Sequence, residues 1–123
     1  MTESIDKYLL ENGEKITNPS QLTRGEVYFE DFAKGYRGFI MPGPERISEN
    51  GHLKLLGIPV FEIQEIELDG EGKIRDGEGK IRFATVDLEP HHFDDEKNGH
   101  SVFRAREGSE IRKTLTEKLP RVY

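Results

Sequence analysis

The chain has 123 residues, 33% of them hydrophobic and 34% charged, with a net charge of −6, which suits one domain around a single core and leaves no apolar run of membrane-spanning length. It holds no cysteine, so disulfides, thiol nucleophiles and zinc-thiolate sites are excluded. Its 13 glycines and six prolines point to short elements and many turns, favouring strands over a helical bundle. The N-terminal Met-Thr-Glu-Ser-Ile-Asp-Lys is acidic where a signal peptide requires a basic region, so a soluble cytoplasmic protein is expected.

Ser4 to Glu11 reads as a short helix: Ile5, Tyr8 and Leu9 share one face, Ser4 can cap it, and Asn12-Gly13 supplies a left-handed stop. Asn18-Pro19-Ser20 signals a turn. Glu26 to Phe32 then alternates as a strand, and with Arg37 to Met41 it forms an expected hairpin around Lys34-Gly35. Pro42-Gly43-Pro44 stops ordinary pairing, Asn50-Gly51 marks a tight turn between Arg46–Glu49 and His52–Leu56, and Pro59 is expected to open the next strand.

The heptapeptide Asp-Gly-Glu-Gly-Lys-Ile-Arg then occurs twice, at 69–75 and 76–82, between two strand-like runs. Apolar positions are Phe61, Ile63, Ile66 and Leu68 on the left and Ile81, Phe83, Val86 and Leu88 on the right. Each run switches phase once, as a kinked strand does. An antiparallel register matches the two switches by setting Leu68 against Ile81 and Phe61 against Leu88, with Glu67 opposite Arg82 and Asp69 opposite Lys80. The expectation is a long bent hairpin over 60–88 with the duplicated tract near its tip. Glu89 to His100 reads as a loop and Ser101 to Arg106 as a last strand. A helix over 109–119 is capped by Ser109, lined by Ile111, Leu115 and Leu119, and ended by Pro120.

Charge is spread unevenly. Residues 61–96 carry twelve carboxylates against four cations: Glu62, Glu65, Glu67, Asp69, Glu71, Asp76, Glu78, Asp87, Glu89, Asp94, Asp95 and Glu96. From residue 97 onward seven cations face three carboxylates. The acidic balance argues against nucleic acid as the partner, leaving only a local basic C-terminal face for it, and favours a protein with a basic surface.

His91, His92 and His100, with Asp94, Asp95 and Glu96, could in principle ligate a metal. Adjacent histidines on an extended chain point opposite ways, and the segment reads better as a solvated acidic loop; no cofactor is expected. Read from Glu67, the repeat mimics a calcium loop, yet Gly77 and Gly79 stand where a helix should leave it. Tyr28, Phe29, Phe32, Tyr36 and Phe39, interleaved with Arg24, Lys34 and Arg37, could stack single-stranded nucleic acid, but core packing explains them more simply.

The run Arg24-Gly25-Glu26-Val27-Tyr28-Phe29-Glu30-Asp31-Phe32, followed by Gly35-Tyr-Arg-Gly-Phe-Ile-Met41 and Leu55-Leu-Gly-Ile-Pro-Val60, is similar to MazF/PemK-type toxins over residues 22–68. The resemblance implies a small SH3-like barrel. It also implies metal-independent RNA cleavage, with Arg37 matching the catalytic arginine. Here Gly38 follows that arginine in place of proline, and Val60 occupies the neighbourhood of the catalytic hydroxyl.

The sequence therefore predicts a mostly β protein over 1–123, a strongly bent SH3-like β-barrel over 24–106 with an N-terminal helix within 1–13 and a C-terminal helix. Its expected role is a non-enzymatic binding or regulatory module that meets a basic protein through the acidic arm 62–79 and the 87–96 loop. The alternative is a MazF-like endoribonuclease using Arg37. Residual sheet edges also allow self-association.

Overall fold

The computed structural model describes residues 2–32, 34–42, 53–71, 74–76, 79–89 and 102–120. In chain order the elements are α1 (Thr2–Asn12), β1 (Gly13–Lys15), a 3₁₀ turn (Pro19–Gln21), β2 (Val27–Phe32), β3 (Gly35–Ile40), β4 (Leu53–Ile63), β5 (Glu67–Leu68), β6 (Ile74–Asp76), β7 (Gly79–Leu88), β8 (Val102–Ala105) and α2 (Glu110–Lys118). Six strands form one antiparallel sheet in the order β1-β8-β2-β3-β4-β7, and β5 and β6 make a separate two-stranded ribbon. Among the described residues no helix is long and apolar enough to cross a membrane.

Both helices lie on one face of the sheet. Tyr8 and Leu9 of α1 and Ile111, Leu115 and Leu119 beside or within α2 bury against Phe29, Tyr36, Phe61, Ile63 and Phe103. Asn12 ties the helices together: its Nδ2 donates to the Tyr8 carbonyl at 2.8 Å, ending α1, and its Oδ1 accepts from Ile111 N–H at 3.0 Å, at the start of α2. Ser109 caps α2 by accepting from Arg112 N–H at 3.1 Å, as its sequence position predicts. Gly13 differs from expectation. It is not among the glycines with positive φ, and its smallness serves packing, since a Cβ there would lie 2.5 Å from the Phe29 ring.

The opposite face carries a second core of Ile16, Tyr28, Phe39, Met41, Leu53, Leu55, Ile58, Val60, Val86, Leu88 and Val102. Val102 of β8 and Leu88 of β7 belong to strands four places apart in the sheet, so this core runs across most of the sheet's width. It does not close into the expected barrel. β1 is only three residues long and pairs with β8, and among the described residues no ladder joins it to β7, so β7 is an edge there. Because both faces are covered, Tyr28 and Phe29 are both buried, as are Tyr36 and Phe39, which removes four of the five aromatics proposed as a stacking platform.

The β2–β3 hairpin forms as predicted. The runs flanking the duplication also pair, but seven positions from the expected register: β4 and β7 set Ile63 opposite Gly79, Phe61 opposite Ile81 and Pro59 opposite Phe83, then Leu55 opposite Val86 and Leu53 opposite Leu88. The irregularity falls between Leu55 and Ile58, where Gly57 takes φ of +60°. The extra residue lies on β4, and the pairing puts no bulge on β7. Pro59 does not open a strand; it lies inside β4, beyond the point where the β3 ladder ends at Gly38 opposite Phe61, so its missing N–H breaks no β3–β4 bond there. The proposed Asn50-Gly51 hairpin lies outside the described residues.

Candidate functional site

Four neighbouring strands place Glu30, Arg37, Glu62 and Lys80 in one transverse row, each opposite the next. Charges alternate along it. Glu30 and Glu62 are buried, at 5% and 6% exposure, and Arg37 lies between them. The Arg37 Nε donates to Glu30 Oε1 at 3.0 Å, its Nη2 bonds the same oxygen, and its Nη1 stands 3.9 Å from Glu62 Oε1. The guanidinium carbon sits 5.4 Å from the centre of the Phe32 ring, a cation–π position. From the other side Arg82, in register with Val60, reaches Glu62.

Chemically, this row is a charge ladder that neutralises itself. A phosphate approaching Arg37 would meet one carboxylate, Glu30, already bound to two of the donors it needs and a second, Glu62, within ion-pair distance. Val60 is fully buried in the second core. Gly38 is packed so closely under α2 that a Cβ would lie 2.4 Å from Leu115 Cδ1. The position following Arg37 therefore has no room for a side chain.

The carboxylates singled out from the sequence separate into groups. Glu62 is internal to the ladder and leaves the candidate contact surface, because its burial is matched by arginine. Glu65, Glu67, Asp69 and Glu71 are exposed on the connection leaving β4. That connection is rooted firmly: Lys34 N–H donates to the Gln64 carbonyl at 2.9 Å, Ile66 N–H donates to the Lys34 carbonyl at 3.1 Å, and Ile66 is buried. Asp69 Oδ1 accepts from Glu71 N–H at 2.8 Å, shaping the turn between β5 and β6. Asp87 and Glu89 are exposed too, but at the far end of β7. Eight residues of strand from Gly79 to Asp87 span about 26 Å, so the arm and this pair do not form one patch. The side chains of Asp76 and Glu78, and all of Asp94, Asp95, Glu96, His91, His92 and His100, lie outside the described residues.

Sequence reasoning missed a second feature of this region. Phe83 and Ile81 are 70% and 47% exposed, and Leu56 on β4 is 72% exposed. The switch from Ile81/Phe83 to Val86/Leu88 is no kink in β7. It marks where apolar residues change from the outward-facing to the buried side of one continuous strand. An apolar phase switch with no turn residue between its halves was the available signal.

At the opposite edge of the sheet an open groove of about 680 Å³ is lined by Glu14, Glu26, Arg104, Arg106, Glu107 and Arg112. Arg104 lies 3.7 Å from Glu14 and Arg112 lies 3.7 Å from Glu26, so most of its positive charge is matched locally.

Comparison with family models, with curated proteins and with solved structures returned no match. The functional reading therefore rests on the residues themselves.

Proposed function

We propose that this chain is a non-enzymatic binding module, and that its partner is a protein presenting a basic surface to the arm that follows β4. The observation that carries this reading is the exposure of Glu65, Glu67, Asp69 and Glu71 within eight residues, 64–71, that include no cation. Such a cluster attracts a basic partner over roughly a Debye length, about 8 Å at physiological salt, and raises its association rate. The rooting of the arm through Lys34 favours recognition, because an anchored base orders part of the contact surface before binding. The six-stranded sheet is read as an opened relative of the SH3-like small barrel, a scaffold that presents its loops and edges.

The enclosure of Arg37 by Glu30 and Glu62 speaks against a nuclease role for that arginine. Affinity capture with the wild-type chain and with a Glu65→Gln, Glu67→Gln, Asp69→Asn, Glu71→Gln variant, run in parallel, tests the proposal. A partner held by the first and released by the second, with an association rate that falls as salt rises, is expected. A partner held equally by both removes the arm from the interface. Incubation with single-stranded RNA and a chelator provides the complementary assay: cleavage that disappears in Arg37→Ala would overturn the non-enzymatic reading.

A further inference from the structure

Among the described residues β7 is a ten-residue strand that ends the sheet, and apart from the charges at Lys80, Arg82 and Asp87 it shows none of the devices by which edges are kept apart. It is long, contains no proline, and is free of bulges. The proline and the irregularity of the β4–β7 hairpin both sit on the inner strand, at Pro59 and between Leu55 and Ile58. Arg82 is turned back onto Glu62, which cancels a charge that would otherwise guard the edge. Beside it Phe83 and Ile81 are exposed on one face.

We propose that β7 is the interface of a symmetric homodimer, in which a second copy of this chain adds its own β7 antiparallel across a two-fold axis normal to the sheet. Such an axis keeps the same face upward in both copies, so only registers centred on a residue are available. Centring on Ile81 sets Lys80 opposite Arg82 of the second copy twice over. Centring on Arg82 sets that arginine against itself, and like charges directly opposite each other are destabilising. Centring on Ala84 places Ile81 against Asp87. Centring on Phe83 avoids the like-charge pairs and the Ile81–Asp87 mismatch and leaves one charge against an apolar residue, Lys80 against Val86, where the Ala84 register also sets Arg82 against Val86 and Lys80 against Leu88: Phe83 meets Phe83 of the second copy, Ile81 meets Thr85 and Arg82 meets Ala84. The sequence of the strand is thus self-complementary in one register, with its most exposed aromatic residue on the axis.

The absence of native cysteine makes this register directly readable. An Ile81→Cys, Thr85→Cys double variant keeps Phe83 and brings the two thiols opposite each other across the axis, within disulfide reach. Neither thiol can reach its own second copy, nor the other in the same strand, because each such pair is four residues of strand apart, about 13 Å. Mild oxidation should convert the double variant to a covalent dimer while each single variant remains uncrosslinked. Sedimentation equilibrium of the unmodified chain should show a reversible dimer, lost in Phe83→Glu with an unchanged circular dichroism spectrum. A wild-type chain that stays monomeric at every concentration, or single variants that crosslink as readily as the double, overturns the proposal.

Discussion

Arg82 donates through Nε to one carboxylate oxygen of Glu62 at 3.0 Å and holds Nη2 at 3.0 Å from it as an ion pair, while Arg37 approaches that same oxygen at 3.9 Å. The two arginines are not equivalent. Arg82 is 60% exposed, so solvent screens its half of the arrangement, whereas Arg37 alone separates two buried carboxylates. Arg82→Ala should therefore cost about 1 kcal/mol or less. Arg37→Ala strips Glu30 and Glu62 of the charge between them and should cost about 3 kcal/mol. Urea denaturation of both variants checks the order, and equal losses would mean that the ladder is not the unit described.

The duplicated heptapeptide is expected to be dispensable for the sheet. Deleting residues 69–75 or 76–82 gives the same polypeptide, in which Gly-Lys-Ile-Arg still runs directly into Phe83 and can keep its place beside Phe61 and Glu62. What disappears is the β5–β6 ribbon. Shortening the connection from 64–78 to about half its length lowers the closure cost by about 0.6 kcal/mol, offsetting part of the lost ribbon. Hydrogen exchange should show unchanged protection in β4 and β7; its loss there would assign the repeat a structural role.

Burial raises the pKa of the Tyr8 phenol, helped by its hydrogen bond to Glu110, and burial with the nearby Glu110 charge raises that of Tyr36. Both groups hold their proton more tightly folded than unfolded, so their contribution is complete below the ordinary tyrosine value near 10 and is lost as pH rises above it. Stability should fall on the alkaline side, and a Tyr8→Phe, Tyr36→Phe variant should flatten that limb. The single changes should differ in sign. Tyr36 Oη is buried without a hydrogen-bond partner among the described residues, so Tyr36→Phe is expected to gain about 1 kcal/mol, whereas Tyr8→Phe gives up a bond of about that value. Denaturation of each single variant at neutral pH, and of the pair across pH 8–11, decides it.

Gly38→Ala should destabilise by about 2 kcal/mol, because the added methyl enters the space held by Leu115. Leu115→Ala opens a cavity of its own, but it should make the second substitution nearly free. A double-mutant cycle measures this coupling. Additive losses would show that α2 does not rest on β3 at this point.

Much of the fold is legible in the sequence where signals are local. Ser109 and Pro120 bound α2, Asn12 ends α1, and the β2–β3 hairpin follows from alternation on either side of Lys34-Gly35. The long hairpin is legible only as a partnership of strands. Leu68 is paired in the ladder with the isoleucine position of the repeated motif, but that of the first copy, Ile74, not Ile81. Two identical copies offer the same apolar and charged partners seven residues apart, and only continuity with Phe83 selects the second for β4. Glu62 has the composition of a surface residue and is buried because Arg37 and Arg82 converge on it from strands that no local pattern connects. The exposed Phe83 is hidden for the complementary reason: alternation reports that a face is apolar, not whether anything covers it.

The position of β8, hydrogen-bonded to 13–15 on one side and to 28–30 on the other, has a consequence for biosynthesis. A growing polypeptide carries β1 and β2 with a vacant slot between them until residues 102–105 have left the ribosome. The meander from β2 through β4 to β7 can form early, from neighbours in the chain, while the final seam waits for the most distant pairing. Any product of premature termination before residue 102 exposes that slot, and should be insoluble or rapidly degraded although it retains most of the apolar residues.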